Sequence, residues 1–126
     1  MQYVAIVTIL LIIQYMAYMM FCGFARGKDT VVAPATSGDE RFEKAFRVQM
    51  NTLEQLMVTL PSMWICAYFF SPLWAAGLGV VFMVGRLLYR QAYMKDPATR
   101  GTGMMIGFVA NIGLIVLSLW GAIGQI

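Results

Sequence analysis

Long apolar runs separated by shorter polar stretches dominate the pattern of this chain. Residues 1–25 and 101–126 contain no Asp, Glu, Lys or Arg, and residues 48–85 are also mainly apolar. Residues 26–47 and 86–100 are polar and carry most of the charge. A bilayer core about 30 Å thick takes about 20 helical residues to cross. The pattern therefore predicts helices that span a membrane.

A turn divides the longest apolar stretch into two helices. Proline lacks a backbone donor and disfavours helix at the residue before it, so the pair Ser71-Pro72 indicates a tight turn. The apolar stretches are far longer than the strands of a membrane barrel require. We expect an all-α integral membrane protein, one domain spanning residues 1–126, built as a bundle of four transmembrane helices. Their predicted bounds are about 2–25, 43–70, 73–95 and 103–125.

Composition supports a membrane protein and removes several kinds of chemistry. Apolar residues make up 60% of the chain, charged residues only 12%, and the mean hydropathy is +0.72. A water-soluble domain usually carries about 25% charged residues, so that class is disfavoured. There is no His, which excludes imidazole metal sites and catalytic Ser–His or Cys–His pairs. Cys22 and Cys66 lie in apolar runs and match no metal or redox motif, so no metal site is predicted.

The basic residues predict the orientation in the membrane. All nine lie between Arg26 and Arg100, in or beside the predicted loops at about 26–42 and 96–102. The positive-inside rule places these two loops in the cytoplasm and both termini outside. The net charge of +3 is then a signal of topology, and no nucleic acid is needed to explain it. The short loops favour a bacterial inner membrane.

Polar side chains inside the predicted helices are the strongest functional signal. In the second helix they recur at i, i+4 and i+7, on one face: Arg47, Asn51 and Glu54. In the third they recur at i, i+3, i+4 and i+7: Arg86, Tyr89, Arg90 and Tyr93. A charge facing lipid costs at least about 2.5–3.5 kcal/mol at the helix centre. Both stripes must therefore turn toward each other, toward another subunit or toward a polar ligand.

Two interpretations of these stripes remain open from the residues alone. The stripes could bind a small ligand with several anionic groups and one ammonium, with arginines on its carboxylates and Glu54 on the ammonium. Alternatively, Glu54 and Arg86 could neutralise each other between helices and stabilise the bundle. Asn111 and Gln14 are expected to be hydrogen-bond partners between helices rather than ligand contacts.

Two segments resemble a known family. The run EKAFRVQMNTLE, residues 43–54, and the run RLLYRQAY, residues 86–93, followed by Arg100, are similar to helices two and three of the MAPEG superfamily. This superfamily comprises membrane-associated proteins in eicosanoid and glutathione metabolism, including the microsomal glutathione transferases and leukotriene C synthase. Arg26 also falls where the family has an arginine that ends helix one. The resemblance covers nearly the whole chain.

The resemblance implies a homotrimer that binds glutathione, as a co-substrate, at each subunit interface near the cytoplasmic side. On that basis Arg100 would be the catalytic residue that stabilises the thiolate. The γ-glutamyl end would be held by Arg47, Asn51, Glu54 and Tyr89, with Glu54 on the ammonium. The glycyl end would contact Arg26 and Gln49, and the site would be lined by Arg86 and Tyr93.

The implied function is a glutathione-dependent transferase or peroxidase that acts on lipophilic electrophiles or lipid hydroperoxides from the bilayer. A free thiol with a pKa near 8.5 is mostly protonated at neutral pH, and an adjacent guanidinium favours the thiolate. No separate base is then required, which suits a chain without His. No metal cofactor is expected.

Some positions depart from the family pattern, and two other functions fit parts of the sequence. Gly27 replaces a second arginine that leukotriene C synthase carries, which disfavours leukotriene synthesis, and Gln55 replaces a common tyrosine. An alternative is a non-catalytic scaffold that binds glutathione or lipid, like the lipoxygenase-activating family member, but Arg100 favours an enzyme. A small four-helix drug exporter would need a carboxylate in helix one, and residues 1–25 have none.

Overall fold

The described part of the chain is all helical. The computed structural model describes residues 1–27, 32, 34, 35 and 37–126. Within these residues the helices are α1 (Gln2–Ala25), α2 (Glu40–Phe69), α3 (Pro72–Lys95) and α4 (Gly101–Ile123), with a 3-10 turn at Pro97–Thr99 before α4. These elements agree with the four predicted helices. The predicted loop at 26–42 lies partly outside the described residues.

Caps explain where α2 and α3 begin. The second helix starts at Glu40, earlier than the predicted residue 43, because the Asp39 carboxylate accepts a hydrogen bond of 3.1 Å from the Phe42 backbone N–H. Glu40 and Glu43 add negative charge to the first turn, which favours the positive end of the helix dipole. The predicted turn at Ser71-Pro72 is confirmed: Ser71 caps α3 and Pro72 occupies its first turn.

The helices run antiparallel, so the polar segments gather at one end of the bundle. The Arg26 guanidinium lies 4.4 Å from the centre of the Phe42 ring, and Lys44 Nζ donates to the Met94 carbonyl at 3.5 Å. Gly103 packs on the backbone of Tyr89. The C-terminal ends of α1 and α3 therefore meet the N-terminal ends of α2 and α4. We call this the charged end.

Three of the helices, α1, α3 and α4, are long and apolar enough to cross a membrane. The longest helix, α2, differs because it carries charge along one side and buries the other. Its buried face includes Phe42, Val48, Leu56 and Met63. Many large apolar side chains elsewhere in the bundle are exposed. Apolar surface outside and polar groups inside are typical of a helix bundle in lipid.

Small residues let α3 and α4 approach closely. A Cβ atom at Gly103 would collide with the backbone nitrogen of Tyr89 and lie 2.7 Å from the Gly85 carbonyl oxygen. At Gly85, a Cβ would lie 2.9 Å from the Gly107 nitrogen. Contacts between backbones at this distance require glycine. They hold the functional segment of α3 directly against α4.

Amide side chains join the helices in the interior, as the sequence predicts for Asn111 and Gln14. Asn111 Oδ1 accepts a hydrogen bond of 2.6 Å from Thr59 Oγ1, and Asn111 Nδ2 donates to Gln55 Oε1 at 3.2 Å. Gln14 Nε2 donates to the Met83 carbonyl at 3.0 Å. These bonds link α4 to α2 and α1 to α3.

Candidate functional site

The most unusual group in the bundle is the buried guanidinium of Arg86. Its side chain is 2% exposed, yet the described residues place no carboxylate against it. Nη2 donates to Thr52 Oγ1 at 2.8 Å, and the guanidinium stacks 4.1 Å from the centre of the Tyr89 ring. Nε has no hydrogen-bond partner. A buried charge without an opposite charge is costly unless a ligand supplies one.

The alternative that Glu54 neutralises Arg86 is not realised within the chain. The residue that meets Arg86 is Thr52, and Glu54 lies two residues further along α2, about 200° around the helix axis. Glu54 is exposed. The ion pair found among the described residues is a different one, between Lys44 and Glu40 at the start of α2, with 3.1 Å between Nζ and Oε1.

Tyrosines on α3 extend the buried cationic group toward the charged end. Tyr89 is buried and stacks on Tyr93 with 5.5 Å between ring centres. The structure therefore brings one of the predicted arginines, Arg86, together with two of the predicted tyrosines, Tyr89 and Tyr93.

The charged stripe of α2 faces away from the rest of the bundle. Arg47 and Glu54 are exposed and Asn51 is half-buried, whereas Val48 and Thr52 on the other side of the helix are buried. Of the three orientations that the sequence allows, a turn of this stripe toward α3 is thus excluded. A second copy of the chain or a polar ligand remains as its partner.

The two residues expected at the glycyl end lie on the opposite side of α2. Gln49 follows Arg47 by two positions, which places it about 200° around the axis from that stripe. Arg26 packs on the ring of Phe42, which shares the side of Gln49, and its Nη1 donates to the Ala35 carbonyl at 2.8 Å. One copy of α2 therefore does not present Arg47 and Gln49 to the same small ligand.

Arg100 stands at the entrance to α4. It is exposed, and its Nη1 donates to the Pro97 carbonyl at 2.7 Å across the 3-10 turn. The Asp96 side chain caps that turn by accepting from the Ala98 backbone N–H at 3.1 Å. The turn thus fixes the direction in which Arg100 leaves the backbone.

Arg90, although it belongs to the α3 stripe, turns to α1. Its guanidinium lies 4.3 Å from the centre of the Phe21 ring and 5.7 Å from that of Tyr18. Cation–π contacts of this kind are worth about 0.5–2 kcal/mol and explain the residue without a ligand.

Sequence reasoning missed the groups that hold Arg86 in place. Thr52 accepts its hydrogen bond, and the Tyr18 hydroxyl donates to the Arg86 carbonyl at 3.2 Å. A signal was available for Thr52, since it lies four residues from both Val48 and Leu56 on the buried face of α2. A hydroxyl on an apolar face needs a partner in lipid.

Comparison with known proteins shows the family of the chain. The model of the MAPEG family matches residues 4–120 of the chain. The chain belongs to the MAPEG family. The resemblance seen in the two sequence segments is thereby confirmed, and family membership together with the three long apolar helices indicates a membrane protein.

The MAPEG relatives span a wide range of organisms. An uncharacterized protein of Synechocystis is 38% identical over 122 residues, covering 97% of this chain and 89% of its own length. Human microsomal glutathione S-transferase 2 is 34% identical over 121 residues, covering 95% of this chain and 80% of its own. Mouse leukotriene C4 synthase is 32% identical over 107 residues, covering 79% and 71%.

Proposed function

We propose that this MAPEG protein is a membrane-bound glutathione transferase, with glutathione peroxidase activity, that stabilises the glutathione thiolate for attack on lipophilic electrophiles or lipid hydroperoxides. The observation that carries the proposal is the buried guanidinium of Arg86, which stacks on Tyr89. Arg86 has no carboxylate partner among the described residues, and Arg47 and Arg100 add exposed guanidinium groups toward the charged end of the bundle. Such a region favours a ligand with several negative charges.

Glutathione matches these charges. It has two carboxylates, one ammonium and a thiol. Arg47, Asn51 and Tyr89 would hold the γ-glutamyl carboxylate, while Glu54 would bind the ammonium that would otherwise be repelled by the arginines. Arg26 and Gln49 would bind the glycyl carboxylate, and Arg86 and Tyr93 would line the site. Exposure of Arg47 and Glu54 in one copy leaves these side chains available to such a ligand.

Arg100 is the residue proposed to act on sulfur. A guanidinium beside the thiol lowers its pKa below the free value near 8.5 and so raises the thiolate fraction at neutral pH. The chain has no His to serve as base. The thiolate then attacks an electrophile that arrives through the bilayer.

The geometry of α2 supports a site shared between copies, and we propose that these copies form the homotrimer that the family resemblance implies. Arg47 and Gln49 lie on opposite sides of α2, so a ligand that contacts both kinds of residue has to lie between two copies of this helix. A charged stripe that faces outward also needs a partner in the membrane. We propose that all four helices span a bacterial inner membrane, with the charged end in the cytoplasm and both termini outside.

The test is a stopped-flow measurement of thiolate absorbance at about 240 nm after detergent-purified protein is mixed with glutathione at neutral pH. We expect a prompt thiolate signal in the native protein and its loss in Arg100→Ala. Arg41→Ala is the matched control, because Arg41 is an exposed arginine of α2 outside the proposed site.

The other outcomes discriminate between functions. Glutathione binding by the native protein without thiolate formation would favour the non-catalytic binding or scaffold role. Absence of glutathione binding, measured by equilibrium dialysis, would refute the proposal and leave the arginines as structural groups.

A further inference from the structure

An open cavity lies at the charged end, on the outer side of α3 and α4. Its volume is about 370 Å³, and it forms where the end of α3, the 3-10 turn and the start of α4 meet. Gly103 is buried and Ala92 is half-buried, so small residues form its bottom. We call it the lateral groove, and its walls combine one cation with polar and apolar side chains: Leu88, Gln91, Ala92, Lys95, Thr99, Thr102 and Gly103.

The lateral groove faces away from the proposed glutathione site. Gln91 and Lys95 each lie two residues from Tyr93, which places both about 200° around the axis of α3 from that side chain. On α4, Thr102 follows Arg100 by two residues and is displaced by the same angle. Among the described residues, those that line the groove include none of the side chains proposed to bind glutathione. The lateral groove is therefore a separate place on the molecule.

Three polar side chains of the lateral groove are open to a ligand. Lys95, Gln91 and Thr102 are exposed, and within the described ranges no carboxylate forms an ion pair with Lys95. The carboxylate of the adjacent Asp96 instead accepts a hydrogen bond of 3.1 Å from the Ala98 backbone N–H. The groove thus presents an ammonium, an amide and a hydroxyl group to an anion.

An apolar stripe continues the lateral groove along α3. Leu88, Val84 and Val81 precede Lys95 at successive intervals of seven, four and three residues, so they share its face of the helix, and all three are exposed. Val81 also borders an apolar cavity of about 390 Å³ further along the same helix. From Gln91 to Val81 the helix rises about 15 Å, which is half of the roughly 30 Å of a bilayer core. The polar groove and the stripe together match the depth of one leaflet.

We propose that the lateral groove binds an anionic phospholipid from the leaflet at the charged end. The lipid phosphate accepts hydrogen bonds from Lys95, Gln91 and Thr102, and one acyl chain lies along the apolar stripe. A basic residue at the membrane surface attracts anionic lipid, while its apolar stem packs on the chain below. A headgroup with its own ammonium is disfavoured, because Lys95 repels that charge. This site is independent of the proposed reaction with glutathione.

The test is native mass spectrometry of the detergent-purified full-length protein, titrated with phosphatidylglycerol or with phosphatidylcholine. We expect the native protein to bind phosphatidylglycerol more tightly. Lys95→Gln should raise the Kd for phosphatidylglycerol about fivefold, the effect of one basic residue near an anionic lipid, and change that for phosphatidylcholine less than twofold. Arg41→Gln is the matched control, because it removes the same charge from an exposed position of α2 at the same end of the bundle. It should leave both Kd values unchanged.

Two further measurements identify the ligand and its place. Glycerol 3-phosphate carries a phosphate without acyl chains, so at millimolar concentration it should not displace phosphatidylglycerol. Phosphatidylglycerol with a diazirine in one acyl chain should crosslink on illumination to residues 81–88 of α3. Gln91→Leu combined with Thr102→Val keeps the charge but removes two donors, and it should weaken binding of both lipids several-fold.

Four results would overturn the inference. They are equal affinity of the native protein for the two lipids, equal weakening by Lys95→Gln and Arg41→Gln, displacement of the lipid by glycerol 3-phosphate, and crosslinks only outside α3 and α4. Thiolate formation with glutathione should be the same in Lys95→Gln as in the native protein, and its loss would show that the two sites are not separate. A native protein that binds the lipid but forms no thiolate would refute the proposed function and leave the lateral groove as a lipid site.

Discussion

The Nη2 atom of Arg86 lies 2.8 Å from Oγ1 of Thr52, and this hydrogen bond joins the buried charge of α3 to the buried face of α2. Thr52 Oγ1 in turn donates to the Val48 carbonyl at 2.7 Å. The Thr52 hydroxyl thus donates one hydrogen bond within its own helix and accepts one from the guanidinium, so both partners fix its orientation.

Replacing Thr52 with valine should destabilise the bundle. The substitution keeps the shape of the side chain but leaves a buried guanidinium with one acceptor fewer, at a cost of about 1–3 kcal/mol. Thermal unfolding in detergent should show a lower Tm for Thr52→Val. Thr52→Ser retains the hydroxyl and should lose much less. Equal Tm values for the native and valine proteins would show that the bond contributes nothing.

Gly103→Ala should prevent the native packing of α3 and α4. A Cβ atom at this position meets the backbone of Tyr89 and of Gly85, neither of which can move like a flexible side chain. We expect loss of the folded protein in size-exclusion chromatography, or a large fall in Tm. Gly101→Ala is the control on the same helix, since a Cβ at Gly101 meets nothing within 4 Å. A normally folded Gly103→Ala protein would contradict the close contact.

Glu54→Gln should weaken glutathione binding only by removing the interaction between Glu54 and the glutathione ammonium. A hydrogen bond to a charged group is worth about 1.5–3 kcal/mol, so Kd should rise about 10- to 100-fold. The control ligand is the glutathione analogue that lacks the amino group, which both proteins should bind equally. Glu43→Gln, at an exposed glutamate on the same face of α2 but about three turns nearer its start, should leave the Kd unchanged. An equal loss of affinity for both ligands would show that Glu54 does not bind the ammonium.

The pH profile should separate thiolate stabilisation from binding. In the native protein the bound thiol is already ionised at neutral pH, so the single-turnover rate with iodoacetamide should stay flat as the pH rises. In Arg100→Ala the thiol pKa returns toward about 8.5, so the rate should fall about tenfold for each pH unit below that value and recover above it. The same pH dependence of the rate in both proteins would show that Arg100 does not stabilise the thiolate.

Mixed assemblies should reveal whether the site is shared. Arg26→Ala and Glu54→Gln alter residues that lie on opposite sides of α2. If each site takes one group from each of two copies, coexpression of the two variants, each of which binds glutathione weakly, should restore some fully native sites. Thiolate formation in the copurified mixture is the measurement, with each variant alone as control. No recovery in a verified mixed assembly would place both groups in one copy.

Much of the fold could be predicted from local patterns. The charge-free runs at residues 1–25 and 101–126 fixed two helices, because burying a backbone in lipid requires a helix of that length. The Ser71-Pro72 turn was predictable from proline chemistry alone. The first residue of α2 was harder to predict, because the Asp39 cap acts through one side-chain hydrogen bond and hydropathy does not reveal such a bond.

The sequence by itself determined the helical class, the turn and the residue types of the candidate site, since these depend on the identity and spacing of neighbours along the chain. Only the tertiary structure decided which groups meet. Helical spacing places Arg47 and Glu54 on one face, but it does not predict that this face points outward. It also does not predict that Thr52, on the other side, accepts a hydrogen bond from Arg86. Which side of α2 points outward depends on how α2 is rotated about its axis against α3. The burial of the apolar face of α2 sets this rotation, through contacts with residues that are distant in sequence.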